Sequence, residues 1–411
     1  MKKKNVVLIL LTAIGVITFL DRINISVAGA SIMNDLNLSE SQWGWVLSSF
    51  ILSYGLFQIP LGVWGDKKGH RIVLSIIVVW WSVFTGFTGM AGGFVILVTI
   101  RFLFGIGEAG AYPCMTGAIG RWFPRSETGK AQGYIWAASR FGGALTPFVV
   151  IPVLLTFGWR VAFYILGVLG IIWVIIWYLW YRDNPADLKG INKVELDEIQ
   201  ANHEKKKKII VLWGKILNKK QFWLILSMYW FYVWGSWFFF SWFPTFMEKG
   251  RGFEKSELTY AVAVPFLMGV IGNISGGYLS DKFSKKYGVK IGRRLLGVTG
   301  LFVSALFMFL GAFIPGKMEI FIFLSLCFGV MDLMLPSAWA VCLDVGKKYA
   351  GAISGAMNTA GNIGGFVCAT TFGYLVEVTD NYNFPLFIIA GMLLISAFLF
   401  SRIDATKQLV I

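Results

Sequence analysis

Charge is scarce in this 411-residue chain: Asp, Glu, Lys and Arg together make up 14% of it, while 56% is hydrophobic. That ratio, with a mean hydropathy of +0.67, excludes a soluble globular protein, because one core cannot enclose so much apolar surface. Histidine occurs twice, at His70 and His203, and cysteine four times, at Cys114, Cys327, Cys342 and Cys368. The cysteines all fall in apolar runs and none forms a CxxC pair, so neither a disulfide framework nor a metal site is expected. No nucleophile–base pair stands out and no cofactor motif is present, which argues against an enzyme. Acidic residues number 22 against 37 basic ones. The resulting charge of +15 lies in the loops between apolar runs, so it is not read as a nucleic-acid surface.

Long apolar runs are what the sequence has in abundance. Met1-Lys2-Lys3-Lys4 leads into one that reaches Ala30 without a small-residue cleavage site, and it reads as an uncleaved first span rather than a signal peptide. Runs long enough to cross a bilayer are expected near 6–30, 43–63, 72–91, 94–118, 130–155 and 160–181. A second set falls near 221–246, 257–279, 295–314, 319–345, 350–377 and 384–402. The polar stretch 182–220, which contains Lys205-Lys206-Lys207-Lys208, reads as a linker between an N-terminal six-helix lobe, 1–181, and a C-terminal one, 221–411. With the N-terminus inside, 29 of the 37 Lys and Arg residues fall in loops on that side and five on the other, leaving Arg22, Arg101 and Arg140 inside spans. The asymmetry predicts that both termini and the linker of this multi-pass protein are cytoplasmic.

The two halves resemble each other. Gly62-x-x-x-Asp66-Lys67 after the second span reappears as Gly277-x-x-x-Asp281-Lys282 after the eighth. Phe104-Gly105 with Glu108 and Pro113 is echoed by Phe328-Gly329 with Asp332 and Pro336. Gly133 and Arg140-Phe141-Gly142-Gly143 match Gly355 and Asn362-Ile363-Gly364-Gly365. The matches keep the same order at nearly constant offset, as parallel six-helix repeats would.

The loop Gly62-Val63-Trp64-Gly65-Asp66-Lys67-Lys68-Gly69-His70-Arg71 resembles the signature loop of the major facilitator superfamily. Physically it is a glycine-permitted turn whose carboxylate is placed to meet a neighbouring helix N-terminus and basic side chains. Asp66, Arg71 and Asp281 are therefore expected to form a conformational latch rather than a ligand site.

Asp21, Arg22, Arg101, Glu108 and Arg140 fall inside expected spans, where each charge costs about 2.5–3.5 kcal/mol at mid-bilayer. Such groups need partners or water. Arg101 and Glu108 are seven residues apart and so share a helix face, separated by about 10.5 Å along the axis. One reading makes these groups structural ion pairs. The other makes them an anion site, since three arginines outnumber two carboxylates and guanidinium is well shaped to grip a carboxylate.

Phe19-Leu20-Asp21-Arg22-Ile23-Asn24-Ile25-Ser26-Val27-Ala28, Arg101-Phe102-x-x-Gly105-x-Gly107-Glu108-Ala109-x-x-Tyr112-Pro113 and Trp122-Phe123-Pro124 resemble the anion:cation symporter family. That family includes bacterial hexuronate, galactonate and glucarate transporters and is similar to animal sialic-acid and vesicular glutamate carriers. The resemblance implies an all-α membrane protein of twelve transmembrane helices in two six-helix lobes. It also implies protonation sites at Asp21 and Glu108 and substrate arginines at Arg22 and Arg101. Some members have Tyr where this chain has Phe19 and Gln where it has Ser139, which leaves Arg140 as a different anion contact and Asn362 as its counterpart in the other half.

Asn358 and Asn362, four apart on one helix face, are placed either to present amides to sugar hydroxyls or to bond between helices. Asp332, at the repeat position of Glu108, is a further proton-coupling candidate, with a hydroxyl-binding role or a pair with Arg140 as alternatives. Of the aromatic run Tyr229, Trp230, Trp234, Trp237 and Trp242, Tyr229 and Trp234 are the candidates for stacking on substrate. The expectation is a monomeric secondary transporter that imports a small carboxylate, a sugar acid, by proton symport with alternating access. Sodium is the alternative coupling cation, and an anion exchanger, a facilitator or a transporter-like sensor are the rival activities.

Overall fold

The computed structural model describes residues 2–200 and 213–409, and the four lysines at 205–208 lie outside them. Among the described residues the regular structure is helical. The first six long helices are α1 (Lys3–Val27), α2 (Glu40–Lys68), α3 (His70–Thr88), α4 (Phe94–Ala109, continuing after Gly110 as Ala111–Trp122), α5 (Arg125–Phe157) and α6 (Trp159–Trp180). A short helix, Lys193–Gln200, follows. The second six are α7 (Lys220–Trp237), α8 (Leu258–Tyr287), α9 (Val289–Phe313), α10 (Lys317–Gly346), α11 (Ala350–Thr379) and α12 (Phe384–Arg402).

Ten of these are long and apolar enough to cross a membrane. The other two are α7 and α11. After Trp237 the α7 segment passes through π-helical turns at Phe238–Trp242 and Phe246–Gly250, a distortion that redirects a helix without breaking it. Helix α11 dilutes its apolarity with small and amide side chains such as Gly355, Asn358 and Asn362. Large apolar side chains line the exposed faces: on α6, Ile165, Val168, Ile172, Ile176 and Leu179 recur at helical spacing and are all exposed. A face of that kind is stable against lipid, where the helix satisfies its own backbone.

The chain forms two compact units, Met1–Leu36 with Ser49–Lys207, and Asn37–Ser48 with Lys208–Ile411. In the first, α1 packs along α5 and α3 along α6 and α4. In the second, α7 packs along α11, α9 along α12 and α10, and α8 along α10. The same pairing scheme thus recurs, and glycine sets the closest approaches in it. A Cβ at Gly142 of α5 would lie 2.6 Å from the Val16 carbonyl oxygen of α1. A Cβ at Gly364 of α11 would lie 2.6 Å from the Trp230 carbonyl oxygen of α7. Repeat-equivalent residues therefore bring repeat-equivalent helices together, using the absence of a side chain that close helix packing in lipid favours.

The first turns of α2 belong to the second unit. There Glu40 accepts from Lys249 at 3.0 Å and from the Tyr382 hydroxyl at 2.6 Å, and the Ser41 amide donates to Glu377 at 2.8 Å.

Candidate functional site

In the first unit, α1, α2 and α4 bring Arg22, Arg101 and Glu108 among aromatic rings. Glu108 is fully buried, Arg101 is 1% exposed and Arg22 8%. Arg22 donates from Nη2 and Nε to the same Glu108 oxygen, at 2.5 and 3.1 Å. Glu108 thus pairs with the arginine of another helix rather than with Arg101, its neighbour two turns away. Helix geometry explains this, because seven residues of rise separate side chains by about 10 Å, beyond direct contact. Arg101 still acts on Glu108 through its charge.

Both guanidiniums are walled by rings. The Arg22 guanidinium carbon lies 5.2 Å from the centre of Phe19, 5.3 Å from Phe50 and 4.8 Å from Tyr54. That of Arg101 lies 5.2 Å from Phe50 and 4.3 Å from Phe104. Rings that stack on a guanidinium hold its plane without consuming its N–H donors. Phe50 and Tyr54 come from α2 at i and i+4 and escaped the sequence reading, since a search for buried charge passes over neutral aromatics in an apolar span.

Asp21 is 1% exposed, and neither of its oxygens makes a hydrogen bond among the described residues. Arg101 and Glu108 are the charges that act on it, and Trp81 and Thr85 of α3 stand beside it. Among the described residues, buried polar atoms are also unpartnered on Glu108 (Oε2), Arg101 (Nε) and Asn24 (both amide atoms). On α5, the Ser139 hydroxyl lies 2.6 Å from the Tyr112 hydroxyl and donates to the Ile135 carbonyl at 2.8 Å. Trp136 stacks on Tyr112 at 4.7 Å. Ser139 is thereby committed to its own unit, whereas Arg140 next to it is half-buried.

In the second unit, Asn362 of α11 is 6% exposed with its Nδ2 unpartnered among the described residues, and Asn358 is half-buried. Tyr229 of α7 is buried against Gly361 and lies 5.2 Å from Tyr232. Trp234 is 5% exposed, and its indole N–H has no partner among the described residues. Trp242 donates to the Ala369 carbonyl at 2.9 Å and stacks on Phe372, which makes it part of the helix packing. Asp332 of α10 is fully buried, its Oδ2 3.0 Å from where a Gly269 Cβ would stand on α8.

The loop before α3 forms its junction with a different carboxylate from the one the sequence singles out. Asp183 accepts from the His70 amide at 2.7 Å and from Arg121 at 3.1 Å, capping the α3 N-terminus. Gly69, at φ 92°, is required there, because a side chain would strike the Asp183 carboxylate. Asp66 is exposed, 3.8 Å from His70. Arg71 donates to the Tyr178 carbonyl at 2.9 Å and stacks over that ring. In the second unit Asp281 pairs with Arg293 at 2.8 Å, and Arg293 also reaches Asp344 at 3.2 Å.

Among the described residues no three His, Cys, Asp or Glu side chains converge as metal ligands would. The chemistry on offer is charge-assisted gripping of an anion by arginines, next to carboxyl groups that share those arginines.

Residues 11–369 match the family model described as the Major Facilitator Superfamily. A protein of Cupriavidus necator named a probable sulfoacetate transporter is 36% identical over 397 residues, 96% of this chain and 92% of that protein. A hexuronate transporter of Bacillus subtilis is 29% identical over 400 residues, 96% of this chain and 93% of that one. The fold is similar to the crystal structure of a bacterial homolog of the human lysosomal transporter Spinster, in an inward-facing and occupied conformation, at a TM-score of 0.81 and 20% identity over 97% of this chain and 96% of that one. The chain belongs to the Major Facilitator Superfamily and is a multi-pass membrane transporter, not an enzyme.

Proposed function

We propose that this transporter imports a small organic anion together with protons across a bacterial inner membrane, with both termini in the cytoplasm. The observation that carries the reading is the Arg22–Glu108 pair, buried among rings with Arg101 nearby. A substrate carboxylate competes with Glu108 for the same guanidinium. Protonating Glu108 removes that competitor, so proton loading and anion loading favour each other. Asp21, and Asp332 in the second unit, are further proton carriers. Arg140, Asn358, Asn362 and Tyr229 complete the substrate contacts, and Asp66, Arg71 and Asp281 act at the loops that rearrange. An inside-negative potential opposes anion entry by about 2.3 kcal/mol per charge per 100 mV, which coupling to more than one proton offsets.

The substrate proposed is a sugar acid, such as a hexuronate, aldonate or aldarate, whose hydroxyls suit the two amides of α11. A short sulfonated acid is the second reading, favoured by the 36% identity to the protein named for sulfoacetate. Thermal-shift measurements on the purified protein with glucuronate, galactonate, sulfoacetate and a neutral hexose test both. Stabilisation by one of the acids and not by the hexose is expected. Equal response to acid and neutral sugar would overturn the anion site.

A further inference from the structure

Helix α5 turns two different faces to its surroundings. Tyr134, Phe141 and Phe148 stand seven residues apart and are all exposed, so they share one apolar stripe of the kind that lies against lipid. Trp136 is 44% exposed as well, but at 3.6 residues per turn it lies about 140° round the helix from Phe141. Its neighbours one turn away on that side are Gln132 and Arg140, both half-buried. A charged side chain within a span faces the bundle interior or a water-filled cavity, so Trp136 opens onto the polar side of α5. Gly129 and Gly133 precede it there, and among the described residues a Cβ built on either would meet no other helix within 4 Å.

The indole is held flat. It stacks on Tyr112 of α4 with ring centres 4.7 Å apart and planes 12° from parallel, and the Tyr112 hydroxyl is anchored 2.6 Å from that of Ser139. One turn earlier on α5, Gln132 accepts from Thr116 of α4 at 3.1 Å. With one indole face covered by Tyr112, the exposed area belongs to the other face. Tyr112 follows Glu108 by one turn of α4 and lies within reach of the Arg22 charge, so the stack adjoins the anion pair.

The internal repeat supports the same assignment. The offset that carries Gly133 to Gly355 and Arg140 to Asn362 also carries Gly129 to Gly351 and Trp136 to Asn358. In the second unit a Cβ on Gly351 or Gly355 would likewise meet no other helix within 4 Å among the described residues. Each repeat thus sets two uncrowded glycines before this position, which holds an indole in one and, in the other, an amide already proposed as a substrate contact.

We infer that Trp136 is a specificity-determining residue, a platform for the ring of a cyclic sugar acid whose carboxylate is held by Arg22. The inference rests on the anion-import reading proposed above and narrows its substrate class to hexuronates in the pyranose form. An aromatic face is the negative side of the ring quadrupole, and the C–H bonds on one face of a pyranose present a weakly positive, apolar patch that fits it. Glu108 and Tyr112 are about 6 Å apart along α4, so a carboxylate that takes the place of Glu108 on Arg22 sets its own ring beside the Tyr112–Trp136 stack. An open-chain aldonate has no fixed face to lay on the indole, and a two-carbon sulfonated acid has no ring at all.

The test is uptake in proteoliposomes by the wild type, Trp136→Leu, Trp136→Phe and Gly133→Leu. Half-saturation is measured for glucuronate, which is a ring in solution, and for galactonate, which is an open chain. In the wild type glucuronate should saturate at the lower concentration. Trp136→Leu should raise the ratio of the glucuronate to the galactonate value about fivefold, and Trp136→Phe, which keeps a flat face, should bring most of it back. Gly133→Leu fills the open space beside the indole without meeting another helix, so it should fold and raise the same ratio. Should Trp136→Leu fail to insert, Gly133→Leu carries the test. An unchanged ratio in the variant so used would overturn the platform, as would a wild type that takes up galactonate or sulfoacetate but not glucuronate. A wild type that takes up none of these acids would instead overturn the anion reading beneath it.

Discussion

Arg22 gives two hydrogen bonds to one oxygen of Glu108, and the other oxygen has no partner among the described residues. Removing Arg22 leaves Glu108 as an uncompensated buried charge, a loss of about 3–5 kcal/mol. Arg22→Met should therefore depress folding yield and melting temperature, and Arg22→Met with Glu108→Gln should recover both without recovering uptake. Fluorescence-detected gel filtration with a melting series checks this. A single variant as stable as the double one would show that the pair is not coupled.

Arg101 is held between Phe50 and Phe104 as a flat cation. Lysine keeps the charge but neither the plane nor the fork. Arg101→Lys should express normally and lose most of its uptake, about tenfold or more in rate at a substrate concentration below half-saturation. Uptake near the wild-type rate would remove Arg101 from anion recognition.

Gly142 and Gly364 occupy equivalent places in the two repeats, each against a backbone carbonyl of the partner helix. Valine at either position forces the helices apart. Each variant should lose about 1–3 kcal/mol of stability, read as a lowered melting temperature in detergent. Unchanged melting in both would mean that these contacts do not hold the helix pairs together.

Arg140 is half-buried, and Asn362 is buried with its amide nitrogen unpartnered among the described residues. Arg140→Cys and Asn362→Cys, in a background without the four native cysteines, should react with a polar thiol reagent and be protected by substrate. The four native thiols are themselves buried. Failure of both engineered thiols to react with or without substrate would move these residues out of the transport path.

Much of the site was legible in the sequence because a charge inside a long apolar run is costly enough to stand out, as Asp21, Arg22, Arg101 and Glu108 do. Their pairing was not. The periodicity of α4 puts Arg101 and Glu108 on one face, but it says nothing of which side chain arrives from α1, and the partner of Glu108 is Arg22. Tyr54 and Phe50 carry no charge and look like any other ring in a span, so their place beside the guanidiniums depends on how α2 and α4 cross. Asp183 sits where composition marks the start of a linker, and its role rests on the positive φ of Gly69. That the first turns of α2 group with the second unit is likewise a matter of long-range contacts such as Glu40 with Lys249.

The central claim, that Glu108 exchanges a proton as Arg22 exchanges anions, is tested most directly by Glu108→Gln in proteoliposomes. Two rates are compared with the wild type: accumulation of labelled substrate driven by an imposed pH gradient, and exchange of labelled for unlabelled substrate with no gradient. Glutamine keeps an oxygen for Arg22 and cannot release a proton. Exchange returns the loaded carrier without emptying the proton site, so it should persist while accumulation falls to background. Accumulation at the wild-type level in Glu108→Gln would contradict the account and move the coupling to Asp21 or Asp332.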